Sequence, residues 1–365
     1  MRDEIVLGIV VAARFLIPLL ILRYPLPGIL GAILADGDRV ILHVYTDVPL
    51  DNYQIYDKAF DVYYLSIAYV ATLRNWRDPT AITIGRLLWL YRLFGVALFA
   101  LTGDHRLLFI FPAAFEFFFV LYEAFRTRWA PERLTGAALL MVAATAWTLK
   151  LPQEYWLHVA RLGTTAWLER NIMHPDPSIR FVLVGVAMVI GVAVAIGCAR
   201  WALRQLPPAD HPWRFGAIPT LSDDGQSEGR AFAARAPRSG LVEKLALVTL
   251  LGMMFAEFAP GLDESTVQVG LGLAFLVIGN AVISVRFVDR SGDRRTAAEE
   301  VAATCALNAP IVLSLMIAAQ WVKVSIPAFS SACLVLLASL LIGLHDRYHD
   351  TYRQLLAESR RPRDS

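Results

Sequence analysis

Two aspartates one helical turn apart, Asp57 and Asp61, lie in the stretch DNYQIYDKAFDVYYL (residues 51–65) with tyrosines on either side. At 3.6 residues per turn, Tyr53, Asp57, Asp61 and Tyr64 share one stripe of a helix, and Lys58 points about 100° away. Carboxylates that close repel unless a cation lies between them. That cation is either an arginine from a neighbouring helix, with Arg14 and Arg92 as candidates, or a divalent ion such as Mg²⁺ or Mn²⁺ held by carboxylate oxygens. In the first case the aspartates only orient the helices, and in the second Asp36, Asp57 and Asp61 form a metal site with Asp57 and Asp61 as catalytic candidates. The sequence leaves both open.

Other polar groups fall in or beside apolar runs of the same half of the chain: Asp38, Arg86, Glu116 and Glu123. A charge at the bilayer centre costs on the order of 2.5–3.5 kcal/mol, so such groups face a protein interior or a watery cavity. Together they predict a shared polar interior in which Arg14, Tyr53, Tyr64, Arg92, Glu116 and Lys150 contact substrate. Pro112, four residues before Glu116, predicts a freed backbone carbonyl and a bend toward that interior.

Asp36 precedes Asp57 by 21 positions and Asp61 by 25, a spacing that resembles the CDP-alcohol phosphotransferase family. The resemblance covers residues 36–61 and a count of six helices up to Leu149. It implies divalent metal held by aspartates on two successive membrane helices, with one aspartate as the base that activates an acceptor hydroxyl. The chain departs from the family pattern at Arg39, where the family has its second aspartate, at His43-Val44 in place of an Ala-Arg pair, and at Tyr53 in place of a glycine. The family works from the cytoplasmic side, whereas the arginine bias described below sets this cluster outside.

An outward loop, YTDVPLDNYQIYD, supports a second enzyme reading. Polytopic glycosyltransferases that use lipid-linked sugars carry acidic residues in such a loop, with Asp47 and Asp51 the candidates here and Tyr45, Tyr53 and Tyr56 as stacking surfaces. The plainer reading of Asp47-Val48-Pro49 is a turn. Further along, LKLPQEYWLHVARL (residues 149–162) predicts a helix exit followed by an interfacial helix anchored by Trp156, with Lys150 and His158 able to bind phosphate. His43 and His105 have no second histidine at ligand spacing. The chain has no Gly-rich phosphate loop, no HExxH and no GxSxG, which removes the common soluble NTPase, metalloprotease and hydrolase classes.

The elements that must position these groups are membrane helices. Of 365 residues, 56% are hydrophobic and 18% charged, and the mean hydropathy is +0.50, more apolar than ordinary soluble domains. Apolar runs recur from Ile5–Leu22 to Ile326–Leu344, several approaching the ~20 residues that cross ~30 Å of hydrocarbon. The first is expected to be an uncleaved helix. The expected fold is an all-α polytopic integral membrane protein of 10–11 transmembrane helices in two bundles, the count depending on whether residues 26–45 cross or re-enter. Cys198, Cys305 and Cys333 fall inside apolar runs without CxxC spacing and read as packing residues.

Arginines cluster in alternate loops: Arg74 and Arg77; Arg126, Arg128 and Arg133; six between Arg200 and Arg238; Arg286 to Arg295; and Arg347 to Arg363. The positive-inside rule makes these loops cytoplasmic in a plasma membrane, with the C-terminus inside and Asp57 near the outer face. Domain organisation follows: 1–170 a charged bundle with the polar site, 171–204 a connecting helix, 205–240 a flexible basic cytoplasmic linker, 241–345 an apolar four-helix bundle, and 346–365 a cytoplasmic tail. Three functions fit: a membrane transferase acting on a lipid-linked or phospholipid-type substrate, a transporter for an ion or polar solute, or a scaffold whose charges fix helix pairing. Nucleic acid is not an expected partner, since the basic loops follow topology; a homo-oligomer or membrane partner through the C-terminal bundle is.

Overall fold

The computed structural model describes residues 2–38, 42, 53–131, 134–155, 186, 189–190, 193, 197, 208–216, 240–256, 266–287, 297–321 and 328–359. The fold is all-helical, 86% helix with no strand among the described residues. The helices are α1 Arg2–Leu19, α2 Pro25–Ala35, α3 Tyr53–Asn75, α4 Pro79–Thr102, α5 Arg106–Ile110, α6 Ala114–Arg126, α7 Gly136–Glu154, α8 Leu241–Ala256, α9 Thr266–Phe287, α10 Ala297–Trp321 and α11 Ala328–Ser359. Four helical stretches are long and apolar enough to cross a membrane: Ile5–Leu22, Pro79–Thr102, Arg106–Arg126 and Ser331–His349.

Helix α3 carries charges at both ends, yet it is the centre of the fold. Every residue from Ala59 to Leu73 is buried, because α1, α2, α4, α6, α8 and α11 all pack around it. A helix walled by protein on all sides does not need a uniformly apolar surface. Aromatic pairs lock the wall: Tyr69 stacks on Trp89 at 4.3 Å, and Phe255 of α8 stacks on Phe15 of α1 at 5.3 Å. The C-terminal helices therefore pack directly on the N-terminal ones. Between α9, α10 and α11 a polar chain runs from Asn280 to Asn308 (2.9 Å) and on to Ser339 (2.8 Å), the hydrogen-bonded glue expected between apolar helices.

Local signals set the helix ends. Asp78 caps α4 by accepting from the Thr80 amide at 2.8 Å, Pro79 supplies the first turn, and Gly103 closes the helix at φ +69°. A short 3₁₀ turn, Leu20–Leu22, folds α2 back onto α1, and a Cβ on Gly28 would meet the Ile21 backbone. At ~1.5 Å per residue the 11 residues of α2 rise only about 16 Å, well short of a bilayer core.

The run Leu107–Tyr122 is two helices, broken at Phe111–Ala113 beside Pro112. The proline leaves the Leu108 carbonyl without its helical partner, and Arg92 caps it at 3.3 Å while donating to Phe111 O at 2.8 Å. The helix breaks at Pro112, and a buried arginine satisfies the carbonyl that the proline frees. Within the expected flexible linker, residues 208–216 are fastened to the loop after α6: Ala130 N donates to Asp210 Oδ2 at 2.9 Å, and Arg128 lies 4.7 Å over the Trp213 ring. The helix expected to end at Lys150-Leu-Pro continues through Pro152 to Glu154, and α11 continues past residue 345 to Ser359.

Candidate functional site

The site forms where the start of α3 meets α1 and the turn after α2. Asp36 caps the C-terminal end of α2, and Gly37 turns the chain so that Asp38 faces back toward α1. One carboxylate oxygen from each of Asp36, Asp57 and Asp61 lies within 4.8 Å of the other two. The expected trio converges.

Arg14, 3% exposed, is the hub. Its Nη2 lies 2.8 Å from Asp36 and 3.7 Å from Asp57, and its Nη1 donates to Asp38 Oδ1 at 3.2 Å. The guanidinium sits 5.1 Å over the Phe60 ring, a cation–π contact that holds it among apolar walls. Tyr56 donates its hydroxyl to Asp38 Oδ2 at 3.2 Å. Of the two candidate arginines, the structure brings Arg14 to the cluster, against Asp36, Asp38 and Asp57.

Lys58 is a correction. Its Cα points about 100° from the aspartate stripe, but its flexible four-carbon stem carries Nζ back to 2.9 Å from Asp57 Oδ2 and 2.6 Å from Asp61 Oδ2. The lysine thus occupies the position between the two carboxylates that the sequence reading left to an arginine or a metal. Among the described residues, Arg14 and Lys58 are the cationic side chains that meet Asp36, Asp38, Asp57 and Asp61. Asp61 Oδ1 is buried and has no hydrogen-bond partner among the described residues. Asp36 is the most open of the group, its side chain 35% exposed.

A second buried ionic group lies deeper, among α4, α6 and α7. Lys150 Nζ donates to Glu116 Oε2 at 3.1 Å, and Glu154 accepts from the Ala113 amide at 3.3 Å with Arg92 4.0 Å away. Tyr64 is buried; Tyr53 opens α3, and its side chain lies outside the described residues. Glu123 is used otherwise, accepting from the Trp76 indole and from Arg126.

Asp38, Lys58 and Glu154 are members of these groups that the residue pattern did not single out as site residues, and Tyr56, read as a stacking surface, donates its hydroxyl to Asp38. Glu154 carried a signal in its i,i+4 spacing from Lys150, hidden by the assumption that Pro152 ends the helix. Arg39, His43, Asp47, Asp51, Trp156, His158 and Arg161 lie outside the described residues.

Comparison with family models, curated proteins and solved structures returns no match. The likeness to the CDP-alcohol phosphotransferases thus stands on aspartate spacing alone, and the site must be read from its own chemistry.

Proposed function

We propose that the chain is a polytopic integral membrane protein whose cluster at Asp36, Asp57 and Asp61 binds a divalent cation, Mg²⁺ or Mn²⁺, and serves a transferase acting on a lipid-linked or phospholipid-type substrate. The observation that carries this reading is the convergence of one oxygen from each of three carboxylates, Asp36, Asp57 and Asp61, within 4.8 Å of one another. Oxygen-only donors suit a hard cation. Such an ion would supply Lewis-acid polarisation of a phosphoryl oxygen.

The remaining side chains have matching roles. With a cation held by the carboxylates, the Lys58 ammonium would be free to pair, with Arg14 and Arg92, with phosphate oxygens of the substrate. Asp61 or Asp57 accepts the proton of the attacking hydroxyl as its oxygen bonds to the electrophilic centre of the donor and the bond to the donor's phosphate leaving group breaks, the phosphate taking the electron pair. Tyr64, Glu116 and Lys150 line the deeper end of the same interior. The ten or eleven crossings, the two bundles and the cytoplasmic C-terminus belong to this proposal, supported by four span-length apolar helices and the alternation of arginine-rich loops.

The test is turnover in proteoliposomes supplied with nucleotide-linked and lipid-linked donors, with Mn²⁺ or Mg²⁺ present or chelated. Metal-dependent transfer that is lost in Asp61→Asn supports the reading, and metal-independent or unchanged transfer overturns it. A transport reading draws on the buried Arg92, Glu154, Lys150 and Glu116 group beyond the cluster. Solute or proton flux abolished by Glu116→Gln, without transfer activity, would favour it.

A further inference from the structure

At the opposite end of α3 from the aspartates, the first turns of α4 and α8 meet the second half of α11. Positions 345–349 read His-Asp-Arg-Tyr-His, two histidines at i and i+4 and hence on one helix face. Glu243, in the first turn of α8, faces them, and one ligand atom from each of Glu243, His345 and His349 lies within 4.8 Å of the others.

All three side chains are buried, at 4%, 0% and 7% exposure. Both ring nitrogens of His345 are buried without a hydrogen-bond partner among the described residues. The nearest carboxylate, Asp346, stands 3.8 Å from His345 Nδ1. A fully buried imidazole with no hydrogen bond is costly to keep, and coordination of an ion is one way to satisfy it. The imidazole rings of His345 and His349 lie 5.0 Å apart and nearly parallel.

Both rings pack closely against Gly240, where a Cβ would stand only 3.1 Å from His345 Cε1 and 3.4 Å from His349 Nδ1. Glu243 meets one cation, Arg86 of α4, at 2.8 Å. Arg86 is about one-third exposed, so it can withdraw to solvent. Asp346 is held at 2.6 Å by Lys244, which fixes the carboxylate beside His345.

We infer that Glu243, His345 and His349 bind a transition-metal ion of the Zn²⁺ type. Two imidazoles and one carboxylate suit such a borderline ion, where the oxygen-only aspartate cluster suits a hard one. Three protein ligands leave a fourth position for water or a further ligand. Asp346, 3.8 Å from His345 Nδ1, lies beside the ligand set and outside it. The ion joins α8 to α11 at the end of the molecule that the arginine bias makes cytoplasmic.

The experiment uses the tag-free full chain in detergent, stripped with chelator and titrated with Zn²⁺ and, separately, Co²⁺. Wild type is expected to retain one Zn²⁺ per chain after desalting and to show the intense visible bands of low-coordinate Co²⁺. His345→Gln/His349→Gln is expected to lose both, Asp57→Asn/Asp61→Asn to keep both, and Arg86→Gln to bind more tightly because the competing cation is gone. Absence of Co²⁺ bands in wild type overturns the site whether or not the histidine variant folds. Equal Zn²⁺ retention by a folded histidine variant also overturns it, as does loss of Zn²⁺ in the aspartate variant, which would locate the ion in the other cluster.

Discussion

Replacing Lys58 by methionine keeps most of the side-chain volume and removes the only ammonium that reaches both Asp57 and Asp61 among the described residues. At an effective dielectric constant near 20, unit charges 2.9 Å apart attract by about 6 kcal/mol, and the second contact at 2.6 Å is similar. Most of that gross attraction offsets the cost of removing the charges from water. What counts is the penalty of leaving the carboxylates without their partner, about 3–5 kcal/mol when one member of a buried ionic group is deleted. At roughly 2–4 °C per kcal/mol for a large domain, Lys58→Met should melt on the order of 10 °C below wild type in chelator. The same change empties the seat between the carboxylates, so Mn²⁺ should bind the variant more tightly than wild type. At a concentration of 100 Kd it should return about 2.7 kcal/mol of stability. Melting by intrinsic fluorescence across a Mn²⁺ series reads both effects. A variant as stable as wild type in chelator would refute the ion-pair reasoning. A destabilised variant that Mn²⁺ fails to rescue more than wild type would refute the idea that lysine and metal compete for one seat.

Two further predictions concern the scaffold around the site. Glu116→Gln and Lys150→Met should each destabilise the protein by about 3–5 kcal/mol, and the double variant should recover most of the loss, giving a coupling energy measurable in a thermal or denaturant cycle; additive losses would contradict the 3.1 Å pair. Gly28→Ala should cost about 1–3 kcal/mol, because the added methyl meets Ile21 backbone atoms that cannot rotate away, and a melting temperature unchanged from wild type would contradict the close approach of α2 to the 3₁₀ turn.

The parts of the site that sequence exposed were those governed by short-range periodicity. Asp57 and Asp61 share a helix face because of the 3.6-residue repeat, and the Leu108 carbonyl freed by Pro112 follows from backbone chemistry alone. That Arg14 rather than Arg92 serves the aspartates depends on how α1 and α4 pack against α3, which no local pattern encodes. Lys58 escaped the helical-wheel argument because a wheel locates Cα and Cβ, while a long flexible side chain places its charge elsewhere. Helix α3 had an apolar run at Leu65–Leu73, but its central position reflects tertiary burial of an only modestly apolar helix. The His345/His349 pair was visible as spacing, but its third ligand, Glu243, lies about 100 positions earlier and joins it only when α8 packs on α11.

The central claim, that Asp36, Asp57 and Asp61 form a divalent-cation site, is tested most directly by thermal stability of the detergent-purified chain in Mg²⁺, Mn²⁺ or chelator, repeated on Asp57→Asn/Asp61→Asn. Ligand that binds only the folded state raises its stability by mass action. The account predicts a metal-dependent rise in wild type that disappears in the double variant. A wild-type melting temperature indifferent to metal, or an equal rise in the double variant, would contradict it and leave the aspartates as ion-pair partners of Arg14 and Lys58.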